Sequence, residues 1–102
     1  MGKPRFRHVV LLRFRADASE EAKQALRNGL GALPDQIPEL RSYRFGDDAG
    51  VAEGNFDFAI VADVDDEAAW RTYAAHPAHQ AAIAQFIRPI LEQRVAVQYR
   101  LD

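Results

Sequence analysis

Residues 5–15, RFRHVVLLRFR, alternate with a period of two. Phe6, His8, Val10, Leu12 and Phe14 share one face of an extended chain, and Arg5, Arg7, Val9, Leu11, Arg13 and Arg15 share the other. The second face is polar at its ends and apolar at its middle, where Val9 and Leu11 sit. A strand with one face in water would not place both there, so this face is expected to meet another sheet. Residues 19–33 change to a helical period, with Ala22, Ala25, Leu26, Leu30 and Leu33 in one stripe. Ser19 is the expected N-cap, with Glu20 and Glu21 in the first turn; Asp17 with Glu20 is an alternative capping box. Gly29 and Gly31 weaken the last turns, and Pro34 is expected to end the helix.

A second strand is read over 38–45, with Leu40 and Ser42 on one face and Arg41, Tyr43 and Phe45 on the other. Residues 46–54 read as a loop. A third strand over 56–64 alternates Phe56, Phe58, Ile60, Ala62 and Val64 against Asp57, Ala59, Val61 and Asp63. Asp65 or Asp66 caps a second helix whose stripe is Ala69, Trp70, Tyr73 and Ala74, and Pro77 punctuates it. A third helix over 78–87 carries His79, Ile83, Phe86 and Ile87 on one face, and Pro89 stops it. Residues 93–101 make a fourth strand, with Val95, Val97 and Tyr99 against Ala96 and Gln98.

The order β-α-β-β-α-α-β is the split βαβ, ferredoxin-like arrangement of the α+β class: a four-stranded antiparallel sheet with helices on one face. No element remains to cover the other face. A second copy of the same sheet is the simplest cover, giving a homodimer through Val9, Leu11, Ala59 and Val61.

The 102 residues are 48% hydrophobic and 27% charged, which is one ordinary globular domain spanning 1–102. A net charge of −2 offers no basic excess for nucleic acid. Cysteine is absent, which excludes disulfides, thiolate nucleophiles and zinc–sulfur sites. No apolar run approaches membrane-spanning length. The basic start is followed by an apolar stretch cut by Arg13, unlike a signal peptide, and the expectation is a cytoplasmic domain.

His8 falls on the helix-facing side of the first strand, Tyr73 on one buried stripe and His79 at the start of the next. The three converge on one interior space. Its walls are Val10 and Leu12 from the first strand, Leu26 from the first helix, Phe58 from the third strand, and Ile83 and Phe86 from the last helix. Histidine exchanges protons near neutrality and a tyrosine hydroxyl donates to a developing oxyanion, a pairing suited to proton abstraction beside a carbonyl. Periodicity alone favours the plainer reading, in which His8 and His79 are satisfied core histidines and Tyr73 is packing with a polar tip. His76 and His79 lack a third metal ligand, so no metal site is assigned, and His76 reads as a helix-terminal residue near the negative end of the dipole. The first-strand arginines read as balanced by Asp57 and Asp63. Asp47, Asp48 and Glu53 lack the calcium-loop spacing and read as solvated loop.

The chain resembles the Dabb family, the stress-responsive A/B barrel domains. The carriers are His8-Val9-Val10-Leu11, Leu33-Pro34 through Ile37-Pro38-Glu39-Leu40, Tyr73-Ala74-Ala75-His76-Pro77-Ala78-His79, and Phe86-Ile87-Arg88-Pro89 with the closing strand. The resemblance implies a dimeric α/β barrel with sheets face to face and helices outside. It implies a homodimer that binds a small, mostly apolar molecule, with no cofactor. Its alternative is the cofactor-independent cyclase or lyase chemistry of one plant member, whose catalytic tyrosine and histidine fall on Tyr73 and His79 and whose first-strand pocket histidine falls on His8. Where that plant member has a third-strand pocket histidine, this chain has Phe58. Some members also hold a cation on backbone carbonyls, here those of Pro34, Ile37 and Leu40.

Overall fold

The computed structural model describes residues 2–102. The elements run β1 (Phe6–Phe14), α1 (Glu20–Gly31), α2 (Leu33–Gln36), β2 (Ser42–Asp47), β3 (Phe58–Val64), α3 (Glu67–Ala75), α4 (Pro77–Ala82), a π-helical turn (Ile83–Ile87), a 3-10 turn (Arg88–Ile90) and β4 (Leu91–Arg100). The strands form one antiparallel sheet in the order β2-β3-β1-β4. This is the ferredoxin-like α+β arrangement, with the helices on one face. None of the described helices is long and apolar enough to cross a membrane.

The two faces of β1 have different surroundings. Phe6, His8, Val10, Leu12 and Phe14 are all buried beneath the helices, together with Phe58, Ile60, Ala62 and Val64 of β3. On the opposite face the register aligns Val9 with Val61 and Val97, and Leu11 with Ala59 and Val95. Leu11, Val95, Val97 and Tyr99 are exposed there, so the apolar patch extends over β4 beyond the four residues named from sequence.

Several local expectations need correction. Ser19 does cap α1, its hydroxyl accepting from Ala22 N–H at 3.1 Å, while Asp17 pairs with Arg15 instead of joining a capping box. α1 ends at Gly31, and Pro34 opens the short α2 rather than stopping a helix, because a missing N–H costs nothing in a first turn. β2 begins at Ser42 instead of residue 38, since Leu40 N–H turns back onto Ile37 O at 3.1 Å. It then runs through Asp47, two residues into the expected loop. β3 begins at Phe58; Asp57 accepts Phe14 N–H at 2.8 Å instead of pairing an arginine, and the Arg13 guanidinium lies over the Phe56 ring at 4.4 Å. Asp63 does meet an arginine, with Arg7 gripping it through two hydrogen bonds of 2.7 and 2.9 Å. Asp48 is occupied within its loop by Gly50 N–H and Asn55.

His76 ends α3 and also begins α4. Its Nδ1 accepts from Ala78 N–H at 3.0 Å, placing it at a helix start as well as a helix end. The final helix does not continue as one α-helix to 87. The π turn inserts there and rotates the following side chains relative to α-helical spacing. Ile83 and Ile87 remain toward the sheet, and Phe86 swings onto α1. Gly29 accommodates it: a Cβ at that position would clash with the Phe86 ring.

Candidate functional site

A cavity of about 100 Å³ lies between the helices and the β1–β4 side of the sheet. Val10, Leu12, Leu30, Ile60, Ala82 and Ile83 supply apolar wall. Its polar lining comes from His8, Tyr43, Tyr73, His79, Arg88 and Arg94. The structure therefore brings together His8, Tyr73, His79, Val10, Leu12 and Ile83.

Three residues expected in the wall lie elsewhere. Leu26 is fully buried beneath α1. Phe58 is held between Phe14 and Phe45, each ring centroid 5.9 Å away. Phe86 has turned onto Gly29. Tyr43, Arg88 and Arg94 were not anticipated. Tyr43 shares a strand face with Phe45, and Arg94 shares the parity of Ala96 and Gln98, opposite the apolar Val95 and Val97. Those parities were the available signal.

The Tyr73 and His79 rings lie 4.2 Å apart, centroid to centroid. The break at His76–Pro77 produces this approach, because it folds the start of α4 back against the last turn of α3. His79 Nδ1 is 3.0 Å from the Ala74 carbonyl oxygen. A carbonyl only accepts, so Nδ1 carries the hydrogen and the Nε2 lone pair is left free. His8 Nδ1 lies 2.8 Å from the Gln98 side-chain nitrogen, which donates to it; the His8 hydrogen then sits on Nε2. His8 also packs against Trp70 at 5.7 Å and Tyr73 at 6.4 Å.

Burial controls the protonation states. It pushes His8 down to about 4, with the nearby charge of Arg94 acting in the same direction. Burial likewise lowers His79, against the opposing hydrogen bond to Ala74. It pushes the Tyr73 hydroxyl up to about 12 and raises Tyr43, to which the neighbouring Tyr73 contributes. At neutral pH both cavity histidines are uncharged and both tyrosines keep their protons. The site thus offers a basic nitrogen on His79 and neutral O–H donors on the tyrosines, in apolar surroundings.

The carbonyls named for a cation lie in and just after α2. That of Ile37 already accepts from Leu40 N–H. No group of three or more His, Asp or Glu able to hold a metal occurs among the described residues.

Sheet, helices and cavity together define a ferredoxin-like α+β domain with a polar cluster under its helical layer. The profile of the stress-responsive A/B barrel domain, Dabb, matches residues 6–101, and the chain belongs to that family. An uncharacterised protein of Streptomyces coelicolor is 34% identical over 80 residues, which cover 76% of this chain and 82% of that protein. A dimeric ferredoxin-like protein of unknown function from Thermobifida fusca superimposes with a TM-score of 0.89 at 45% identity, covering 96% of this chain and 92% of that one. The hydroxynitrile lyase of Passiflora edulis superimposes with a TM-score of 0.85 at 20% identity, covering 99% and 96%, a likeness of fold.

The displaced His8 has a consequence for stability. Its folded value of about 4 lies below the usual 6.5, so the unfolded chain takes up this proton first as pH falls. The His8 contribution is fully present above about 6.5 and is lost progressively between about 6.5 and 4. Urea unfolding across that range will show a flatter pH dependence in His8→Gln than in the parent. Identical slopes would mean that His8 titrates as an exposed imidazole.

Proposed function

We propose that the chain is a homodimer, joined through the uncovered sheet face, whose cavity binds a small, mostly apolar molecule bearing a carbonyl group. The observation that carries the binding reading is the pairing of Tyr73 and His79 at 4.2 Å inside a cavity whose other walls are mainly apolar. Binding sites combine apolar walls with a few convergent polar groups in this way. A carbonyl oxygen placed there would accept from a tyrosine hydroxyl.

The dimer reading is supported by the row of Val9, Leu11, Val95, Val97 and Tyr99 on a face with no covering element. The Thermobifida fusca relative is itself described as dimeric. An interface of ordinary size buries about 1,600 Å² in total. Light scattering at micromolar concentration is expected to report the dimer mass. Val9→Asp, at the centre of the row, should weaken association by about 3 kcal/mol, because it would bury an unpaired charge. A parent protein that scatters only as a monomer would end this reading.

One observation favours a second reading, cofactor-independent proton transfer by a lyase or cyclase. His79 is anchored through Nδ1–H, which leaves Nε2 free as a base, and Tyr73 remains protonated as an oxyanion donor. In a reaction of this type, Nε2 removes a proton beside a carbonyl and the Tyr73 hydroxyl stabilises the enolate oxygen. The name of the Passiflora edulis neighbour shows that lyase chemistry occurs on this fold. A panel of β-polyketide thioesters, assayed with the parent, Tyr73→Phe and His79→Ala, separates the two readings. Proton transfer predicts losses of about 10²–10⁴-fold for the base and about 10²–10³-fold for the donor. Pure binding predicts no turnover in any variant. Turnover that survives His79→Ala would refute the role given to His79.

A further inference from the structure

The polar lining of the cavity divides into two kinds. His8, His79, Tyr43 and Tyr73 are neutral at physiological pH, as their burial requires. Arg88, in the 3-10 turn, and Arg94, on β4, are therefore the only formal charges on the wall, and both are positive. Arg94 aligns with Leu12 in the β1–β4 register, so it belongs to the helix-facing side of the sheet, and β4 is the edge strand of that side. It is exposed, as a residue at the rim of an otherwise enclosed space would be.

Six of the nine arginines outside the cavity meet carboxylates. Arg7, Arg15, Arg27, Arg41, Arg71 and Arg100 each approach an Asp or Glu within ion-pair distance. Arg88 and Arg94, like Arg5, Arg13 and Arg44, have neither an ion pair nor a side-chain hydrogen bond among the described residues, but of these five only Arg88 and Arg94 line the cavity. A guanidinium that merely decorated the surface would leave the cavity interior unaffected. The field of Arg94 instead reaches His8, Tyr73 and His79, and acts on all three in the direction expected of a nearby positive charge.

We propose that Arg94, assisted by Arg88, is the specificity-determining residue of the cavity and selects a ligand with an apolar, flat body and a single carboxylate. This rests on the binding function proposed above and specifies its ligand class. The body lies among Val10, Leu12, Ile83 and the aromatic faces of Tyr43 and Tyr73. The carboxylate stays at the rim, where the planar guanidinium fork of Arg94 matches its two oxygens. A monoanion fits better than a phosphate. The cavity is small and mainly apolar, and a dianion would lose more hydration on entering than two partly solvated guanidinium groups return.

The test uses the full chain and its only tryptophan. Trp70 packs on His8, which lines the cavity, so its fluorescence reports occupancy. Benzoate and phenylacetate are titrated at neutral pH against their neutral counterparts, benzamide and phenylacetamide, with phenyl phosphate as the competing anion. The acids are expected to bind about tenfold or more tightly than the amides, as for hydrogen bonds to charged groups. Arg94→Gln should erase that preference and leave amide affinity unchanged. Arg94→Lys, which keeps the charge without the fork, should retain part of it, and Arg88→Gln should reduce acid affinity alone. Arg5→Gln makes the same change in net charge on an exposed residue away from the cavity, and should have no effect.

Amides binding as well as acids would overturn the assignment while leaving the binding pocket standing. An equal loss from Arg5→Gln and Arg94→Gln would also overturn it, by showing only a general charge effect. Phenyl phosphate binding more tightly than benzoate would replace carboxylate by phosphate and refute the stated class. Failure of every acid and amide to bind would remove the pocket reading itself, and this inference with it.

Discussion

A four-stranded sheet with two apolar faces, and helices enough for only one, is the constraint from which the other features of this molecule follow. β1 states it most plainly. Its even-numbered residues are buried beneath α1, α3 and α4, while Val9 and Leu11 look out from the opposite side beside Val61, Val95 and Val97. Apolar burial is the main favourable term in folding, at about 25 cal/mol per Å², and a face of this kind left in water forgoes it. The proposed dimer recovers that contribution. The polar end of the same face is already satisfied within the chain, where Arg7 grips Asp63 and reaches the Tyr99 hydroxyl at 3.4 Å.

The covered face is interrupted at one place, and the candidate site forms there. The last helical segment is broken twice, at His76–Pro77 and again at the π turn. The first break brings Tyr73 and His79 together; the second carries Phe86 away from the sheet and onto Gly29. Between the two, the helical layer does not fill the space above Val10 and Leu12. The histidines and tyrosines left in that space are held neutral by burial, which costs charged forms far more than neutral ones. Their hydrogen bonds to Ala74 and Gln98 then settle which nitrogen of each histidine carries hydrogen. Local breaks in regular structure thus generate both the cavity and its chemistry.

The architecture was legible because it depends on period. Alternation in 5–15 and 56–64 and the stripe from Ala22 to Leu33 mark which faces are buried, and the surplus apolar face follows by elimination. The meeting of His8, Tyr73 and His79 was also legible, since each lies on a stripe that faces the same interior. Features that depend on turn geometry were not. Pro34 looks like a stop and Pro38 like the start of a strand, and only the backbone shows that one opens a helical turn and the other lies inside a turn closed by Leu40 N–H on Ile37 O. A π turn has no signature in residue pattern, so α-helical spacing sets Phe86 in the cavity wall. Gly29 read as a weak helix position, yet its lack of a side chain is what admits Phe86. Arg94 carries little signal because an arginine on an edge strand ordinarily faces water, although its parity with Ala96 and Gln98 sets it on the helical side.

The chemistry of the cavity turns on His79 as a neutral base, with its hydrogen fixed on Nδ1 by the Ala74 carbonyl and its Nε2 lone pair free. Long-range proton–nitrogen correlation spectroscopy on histidine-labelled protein at neutral pH tests this directly. The expected spectrum has a protonated, pyrrole-type Nδ1 and an unprotonated, pyridine-type Nε2 for His79. A resonance pattern from the Nε2–H tautomer, or from the imidazolium, would contradict it.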